Sequence, residues 1–190
     1  MERISLVDRA HSAVSNILVP GEKAIDATVG NGRDTLFLAN AVAPGGVVFG
    51  FDIQATAIAS ARTTIEAERP DCRIVFFKED HARMSEHIPA GDHGTISAVM
   101  FNLGYLPGGG KSIMTTVPST LAALEAAYIM LRPGGVVSVV AYTGHPGGRE
   151  EADAVKTWAS RVARRQLIEI TVPRSARGGA PELVLVTKSG

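Results

Sequence analysis

The stretch Ala24-Ile-Asp-Ala-Thr-Val-Gly-Asn-Gly-Arg-Asp-Thr35 decides how the rest of the chain is read. A short apolar run ends at Asp26, glycines follow at Gly30 and Gly32, and helical spacing begins at about Arg33. This is the pattern of a strand that stops at a tight turn and feeds a helix. Glycine suits the turn because it adopts positive φ without strain and lets a ligand come close to the backbone. The helix start adds unpaired N–H groups and a partial positive charge. The turn is a site for the polar part of a nucleotide-like ligand.

On its N-terminal side, Leu6, Val7, Ala10, Ala13, Val14, Ile17 and Leu18 recur at helical spacing, predicting a helix over residues 4–18 that Pro20-Gly21 ends. That helix reads either as a lid or as a dimer element, so a homodimer is allowed. On the C-terminal side, strands are predicted over residues 47–52, 73–77, 95–101 and 136–142, and the turn's own strand over 23–28. The run at 47–52 is continuously apolar, as in parallel sheets buried on both faces. Helices are predicted to about residue 42 and over 54–68, 116–131 and 149–164, with a short one around 83–87. Two closing strands, 167–172 and 183–188, flank a loop that holds Gly178-Gly179. Five alternations of strand and helix followed by a strand pair indicate an α/β doubly wound sheet. One domain spans residues 1–190, with the N-terminal helix in 1–20 and the terminal strand pair and loop in 161–190.

The composition narrows the class of partner. Lysine plus arginine and aspartate plus glutamate number 19 each. A large duplex footprint usually needs a basic surplus, because phosphate neutralisation supplies most of such affinity. A local patch for a short RNA loop stays open. Residues 161–177 hold Arg161, Arg164, Arg165, Arg174 and Arg177 against the single acid Glu169. The alternative reading for the first three is a solvated helix end whose cations complement the macrodipole. The single cysteine, Cys72, excludes an intramolecular disulfide and any multi-cysteine metal site. The histidines show no metal-ligand spacing, so no metal is expected. Apolar runs are too short to span a bilayer, and the first residues lack a signal peptide's apolar core, so no membrane association and a cytoplasmic protein are expected.

In doubly wound sheets, ligands bind beyond the carboxyl ends of the strands. Polar residues collect at those positions here. Strand one is followed by Asp26, Thr28, Gly30, Asn31 and Gly32, and the helix after it begins with Asp34 and Thr35. Strand two leads to Asp52, Ile53 and Gln54, and strand three to Asp80 and His81. A carboxylate at the end of strand two can hold two ribose hydroxyls, since it offers only acceptors. A nicotinamide dinucleotide would want a third glycine where Thr35 stands, and Asp26 would repel its pyrophosphate. The same acid suits a cationic amino-acid ligand, through its ammonium or a bridging water. The acid-x-x-x-Gly-x-Gly pattern resembles the first motif of the class I S-adenosylmethionine (SAM) methyltransferases. Asp52 then matches their ribose acid and Asp80 their residue at the adenine amino group. Asp80 reads equally as the cap of the short helix after it.

Asn102-Leu-Gly-Tyr105 follows strand four, where such enzymes place the acceptor. Amino-group methyltransferases carry an Asn/Asp-Pro-Pro-aromatic segment there. The amide oxygen and a nearby carbonyl accept from the nucleophilic nitrogen, and the ring stacks on a base. Asn102 and Tyr105 have the matching types and spacing, with Leu103-Gly104 in place of the prolines. A plain turn is the alternative. Lys111 reads as a phosphate contact or a solvated side chain. After strand five come Tyr142 and His145. Histidine titrates near neutrality and can take a proton, but transfer to a neutral amine needs alignment more than a strong base, so His145 reads as a substrate contact before a general base.

AIDATVGNGRDTLFLA, FGFDIQ, VMFNLGYLPGGGKSIMT and YTGHPGGREEADAV together resemble the bacterial proteins long labelled putative rRNA methylases. The resemblance implies a Rossmann-like class I methyltransferase fold, a seven-stranded and mostly parallel sheet with an antiparallel C-terminal strand. It implies SAM as cofactor, bound at the three strand-end acids, the glycine turn and Asn102. It implies an RNA partner, the tRNA anticodon loop, since characterised members methylate 5-aminomethyl-2-thiouridine at the wobble position. Asn102, Tyr105 and His145 would then face the wobble base, with Leu103, Gly104, Lys111, Tyr142, Arg174 and Arg177 as further substrate contacts. Two positions depart from the pattern: Arg33 stands where histidine is expected, and Arg177-Gly-Gly-Ala-Pro181 replaces an Asn-Asn-Pro-Pro-like stretch.

Overall fold

A computed structural model describes residues 5–104, 114–162, 168–171 and 179–190. Helix α1, Leu6–Ser15, starts at a capping box: the Ser5 hydroxyl accepts from the Asp8 N–H at 3.1 Å, and the Asp8 carboxylate accepts from the Ser5 N–H at 3.2 Å. Strand β1, Lys23–Asp26, is followed by helix α2, Arg33–Val42. Strand β2, Val47–Phe51, precedes helix α3, Ala55–Glu68, and then strand β3, Arg73–Phe77. A 3-10 turn, His81–Arg83, runs into the single-turn helix α4, Met84–His87. Strand β4, Ile96–Leu103, helix α5, Val117–Met130, strand β5, Leu131–Ala141, and helix α6, Gly148–Val162, follow. The short strand β6, Ile168–Thr171, and strand β7, Glu182–Thr187, close the chain.

Among the described residues the strands form one seven-stranded sheet in the order β3-β2-β1-β4-β5-β7-β6. Pairings from β3 across to β5 are all parallel, whereas β7 runs antiparallel to both β5 and β6. The fold is the doubly wound α/β arrangement expected from the sequence, with a mostly parallel sheet and antiparallel pairing at its C-terminal edge. From β1 the chain first moves outward through β2 and β3. It then returns to the other side of β1 with β4, so the switch point lies between the carboxyl ends of β1 and β4.

Both faces of the sheet are covered, and the two-residue period of the strands sorts side chains between them. Ile25, Phe51, Val99, Phe101, Val137 and Val139 pack with Leu124 of α5 and Trp158 of α6. Ala24, Val48, Ala98, Met100, Val140 and Leu183 pack with Ala10 and Val14 of α1 and Leu38 of α2. The N-terminal helix is thereby part of one wall of the sheet.

Two strands run further than their sequence suggests. β4 continues through Asn102 and Leu103, which pair with Val140 and Ala141 of β5. Leu103, expected to contact substrate, buries its side chain completely in the α5–α6 core, and its carbonyl accepts from the Tyr142 N–H at 3.1 Å. β5 begins at Leu131, upstream of the Pro133-Gly134-Gly135 turn signal. The Gly134 N–H donates to the Lys188 carbonyl at 2.7 Å and the Lys188 N–H to the Gly135 carbonyl at 2.8 Å, so pairing at the end of β7 draws this turn chemistry into the sheet.

Candidate active site

Asp26 ends β1 fully buried. The Thr28 N–H donates to its Oδ1 at 3.1 Å and the Thr35 hydroxyl to its Oδ2 at 2.5 Å. Burial pushes the Asp26 carboxyl up to about 7; the charge of Asp34 adds to this and the two hydrogen bonds oppose it. Asp26 thus lies beneath the turn, where it ties Thr28 to the first helical turn of α2. Gly30 and Gly32 take φ of +50° and +81°, which bends the chain into α2. A Cβ on Gly32 would stand 2.8 Å from Cα and Cβ of Ala61 on α3, so glycine is needed both for its backbone and for the helix packed behind it.

The turn is also tied to the next strand end. The Gly30 N–H donates to Asp52 Oδ2 at 2.9 Å and the Gln54 N–H to Asp52 Oδ1 at 2.8 Å. Each oxygen of this half-buried carboxylate keeps a second lone pair for hydroxyl donors. Ile53 beside it is half exposed, and Asn31 is exposed, its carbonyl accepting from the Thr64 hydroxyl at 3.2 Å.

At the end of β3, Asp80 caps the 3-10 turn: its Oδ1 accepts from the Ala82 N–H at 2.8 Å and from the Ser119 hydroxyl of α5 at 2.6 Å. Partial burial works against this carboxylate, but the bonds from Ser119 and Ala82 outweigh it and hold its pKa below the usual value. His81 is buried, and since a carbonyl only accepts, its Nδ1–H donates to Ala27 at 3.0 Å. Burial lowers its pKa, so the ring stays neutral near pH 7 with its Nε2 lone pair unpartnered among the described residues.

Across the switch point, the Asn102 backbone N–H donates to Thr28 Oγ1 at 2.7 Å, and its side-chain Nδ2–H donates to Asp34. Its Oδ1 is left buried without a partner among the described residues. Gly104 follows, and a Cβ there would lie 3.5 Å from Tyr142 Cβ and 3.6 Å from His145 Nε2, so the ends of β4 and β5 share one mouth. Burial, then the charge of Asp34, raises the Tyr142 phenol, which therefore stays a donor. The His145 Nδ1–H donates to the Pro146 carbonyl at 3.0 Å. Beside this mouth a cavity of ≈ 390 Å³ opens between residues 114–118 and the segment Pro146, Gly147 and Glu150.

The structure thus gathers Asp26, Thr28, Gly30, Gly32, Asp34, Thr35, Asp52 and Asn102 around the switch point and sets Tyr142 and His145 next to them. Tyr105, Lys111, Arg174 and Arg177 lie outside the described residues. Three contributors escape the sequence reading. His11 of α1 reaches Asp34 Oδ1 at 2.7 Å. Ser119 holds Asp80, and buried Glu151 accepts from the Thr115 and Thr120 hydroxyls at 2.7 and 2.6 Å. In the sequence only His11 carries a signal, as a polar residue within the apolar spacing of α1. Among the described residues, no group of three His, Cys, Asp or Glu is placed to hold a metal ion, and no helix is long and apolar enough to cross a membrane.

The family described as putative rRNA methylase matches residues 48–188. A chloroplastic tRNA (mnm5s2U34)-methyltransferase of Arabidopsis thaliana is 39% identical over 188 residues, covering 94% of this chain and 68% of that protein. A putative rRNA methylase of Clostridium thermocellum superposes with a TM-score of 0.90 at 36% identity, over 99% of each chain. A putative methyltransferase of Streptococcus mutans, solved in complex with SAH, does so with a TM-score of 0.85 at 28% identity, again over 99% of each. With the glycine turn, the strand-end acids and Asn102 placed after neighbouring strands of the sheet, and with most of its length matched, this chain belongs to the putative rRNA methylase family and is a methyltransferase.

Proposed function

We propose that the chain is a SAM-dependent N-methyltransferase acting on the aminomethyl group of 5-aminomethyl-2-thiouridine at the tRNA wobble position. The observation that carries this reading is the Asn102 side chain: its N–H is taken by Asp34 while its Oδ1 stands buried at the switch point with no partner among the described residues. Such an oxygen receives an N–H from an amine and turns the nitrogen lone pair away from itself. The remaining barrier to methyl transfer is largely alignment once the amine is neutral. The relative named for wobble-uridine methylation supports the choice of acceptor.

The residues also fit the cofactor. Asp52 keeps lone pairs for a ribose diol, and the Gly30–Gly32 turn, bent by two positive φ angles, is tied to it through the Gly30 N–H. Asp26 lies buried under the turn, and a bound group carrying an ammonium and a sulfonium would favour its ionised form against the burial that opposes it. SAM when bound supplies an electrophilic methyl, which becomes bonded to the amine nitrogen as the bond to sulfur breaks. Asn102 holds the amine's N–H in that geometry, and the proton released from the resulting ammonium passes to water at the open mouth beside His145.

The test is methyl transfer by the purified chain to tRNA carrying 5-aminomethyl-2-thiouridine, followed by nucleoside mass spectrometry. The expected product is 5-methylaminomethyl-2-thiouridine. No conversion of that tRNA, with conversion of ribosomal RNA or of a small amine instead, would overturn the substrate assignment.

A further inference from the structure

Asp34, on the first turn of α2, receives two side chains from elements far apart in the chain. His11 of α1 meets its Oδ1 at 2.7 Å. Asn102 at the end of β4 meets its Oδ2. The His11 ring lies flat on Phe37 of α2, with centroids 3.9 Å apart and planes 2° apart, so its direction is set by stacking as well as by the bond. Asp34 itself is only 6% exposed.

A carboxylate accepts and never donates when ionised, so both partners must present N–H. For Asn102 this has a consequence. The terminal amide torsion is broad and roughly two-fold, so an amide without constraint samples both faces. One face offers an incoming amine an oxygen acceptor; the other offers it an NH₂ group that competes with its own N–H. Against Asp34, the second orientation would set amide oxygen on carboxylate oxygen and forfeit a charge-assisted bond. Only the first leaves Oδ1 open, and Oδ1 is the atom found buried without a partner among the described residues.

We infer that Asp34, held by His11 of the N-terminal helix, is a positioning residue that locks the Asn102 amide with its oxygen toward the methyl acceptor. The inference rests on the amine acceptor proposed above. It gives α1 a place in the site: through Ala10 and Val14 the helix is anchored in the sheet wall, and through His11 it braces the residue that aims Asn102. It also assigns a selectivity. The locked oxygen favours methyl acceptors that can donate a hydrogen to it and disfavours nucleophiles with no such donor.

The experiment compares Asp34→Asn, His11→Phe and His11→Gln with the wild-type chain. Phenylalanine keeps the stack on Phe37 and removes the donor; glutamine restores a donor. With S-adenosylhomocysteine bound, the Asn102 side-chain amide is followed by ¹⁵N–¹H NMR, assigned by its absence in Asn102→Asp. The wild-type amide is expected to show one downfield, exchange-protected proton. That signature is lost in Asp34→Asn, weakened in His11→Phe and restored in His11→Gln. In methyl transfer, kcat is expected to fall about 30-fold in Asp34→Asn and about fivefold in His11→Phe, with KM for tRNA and S-adenosylhomocysteine affinity within about twofold of wild type. His11→Gln recovers most of the loss. Unchanged amide resonances in Asp34→Asn would overturn the inference, and so would a loss of S-adenosylhomocysteine affinity matching the loss of kcat. If the wild-type chain transfers no methyl to that tRNA, the substrate assignment falls, while the amide resonances still decide whether Asp34 orients Asn102.

Discussion

The backbone N–H of Asn102 donates to the side-chain oxygen of Thr28 at 2.7 Å, joining the end of β4 to the turn after β1. The two strands are neighbours at the switch point, yet 74 residues separate this pair in the chain. The bond sets the height at which Asn102 leaves the sheet, and so where its amide stands relative to the glycine turn. Placement at this level of detail matters, because displacement of about 1 Å in a reacting constellation costs on the order of 100-fold in rate.

Thr28→Val keeps the shape of the side chain and removes the acceptor. The Asn102 N–H is then left unsatisfied in a partly buried place, at a cost of about 1–3 kcal/mol. Urea unfolding should register that loss, and kcat for methyl transfer should fall about tenfold or more. Thr28→Ser keeps the oxygen and should behave nearly as wild type. Equal stability and rate in the valine variant would show that the bond does not set the position of Asn102.

Gly32 and Gly45 have almost the same backbone, with φ of +81° and +80°. A Cβ at Gly45 meets nothing within 4 Å, whereas at Gly32 it meets Ala61 backbone and side chain at 2.8 Å. Gly45→Ala therefore carries only the conformational penalty, about 1 kcal/mol, and Gly32→Ala adds overpacking against α3 for a total of about 2–4 kcal/mol. Thermal or urea unfolding of the two variants isolates the packing part. Similar losses at both positions would mean that α3 moves aside freely.

The parts of the site that were legible in the sequence are those that local order encodes. Gly30 and Gly32 mark a positive-φ turn, Asp26 and Asp52 each close an apolar run, and Asp80 follows the run 74–77 after Lys78 and Glu79, so their places after three strands follow from pattern alone. What Asp26 faces was not legible, since its enclosure by Thr28 and Thr35 depends on how α2 settles on β1. His11 meets Asp34 across 23 positions and Asn102 meets it across 68, and no periodicity in α1 or β4 encodes either meeting. Leu103 looked like part of a loop because Asn-Leu-Gly suits a turn, but pairing with Ala141 carries β4 past it and turns its side chain into the core. Pro133-Gly134-Gly135 misled in the same way, since its partner Lys188 lies at the end of a strand distant in sequence.

Asp26 titrates where a carboxylate rarely does, and the sign of the consequence is fixed. Its folded pKa is raised from 3.8 to about 7 by burial, with the charge of Asp34 adding to it. Below the unfolded value both states hold the proton, and the full contribution to stability is present. As pH rises toward 7 the unfolded chain releases its proton while the folded chain keeps it, so stability is lost through that window. Above the folded value both are ionised and the loss is complete. Each unit of difference corresponds to about 1.4 kcal/mol. Asp26→Asn cannot ionise and should be free of this slope, while its amide oxygen still accepts one of the two bonds from Thr28 and Thr35. Urea unfolding at pH 5 and pH 8 should therefore show the wild-type chain losing stability relative to the variant as pH rises. Parallel behaviour of the two proteins across that range would mean that Asp26 ionises in the folded chain as readily as in the unfolded one, and that its carboxylate is solvated where the structure encloses it.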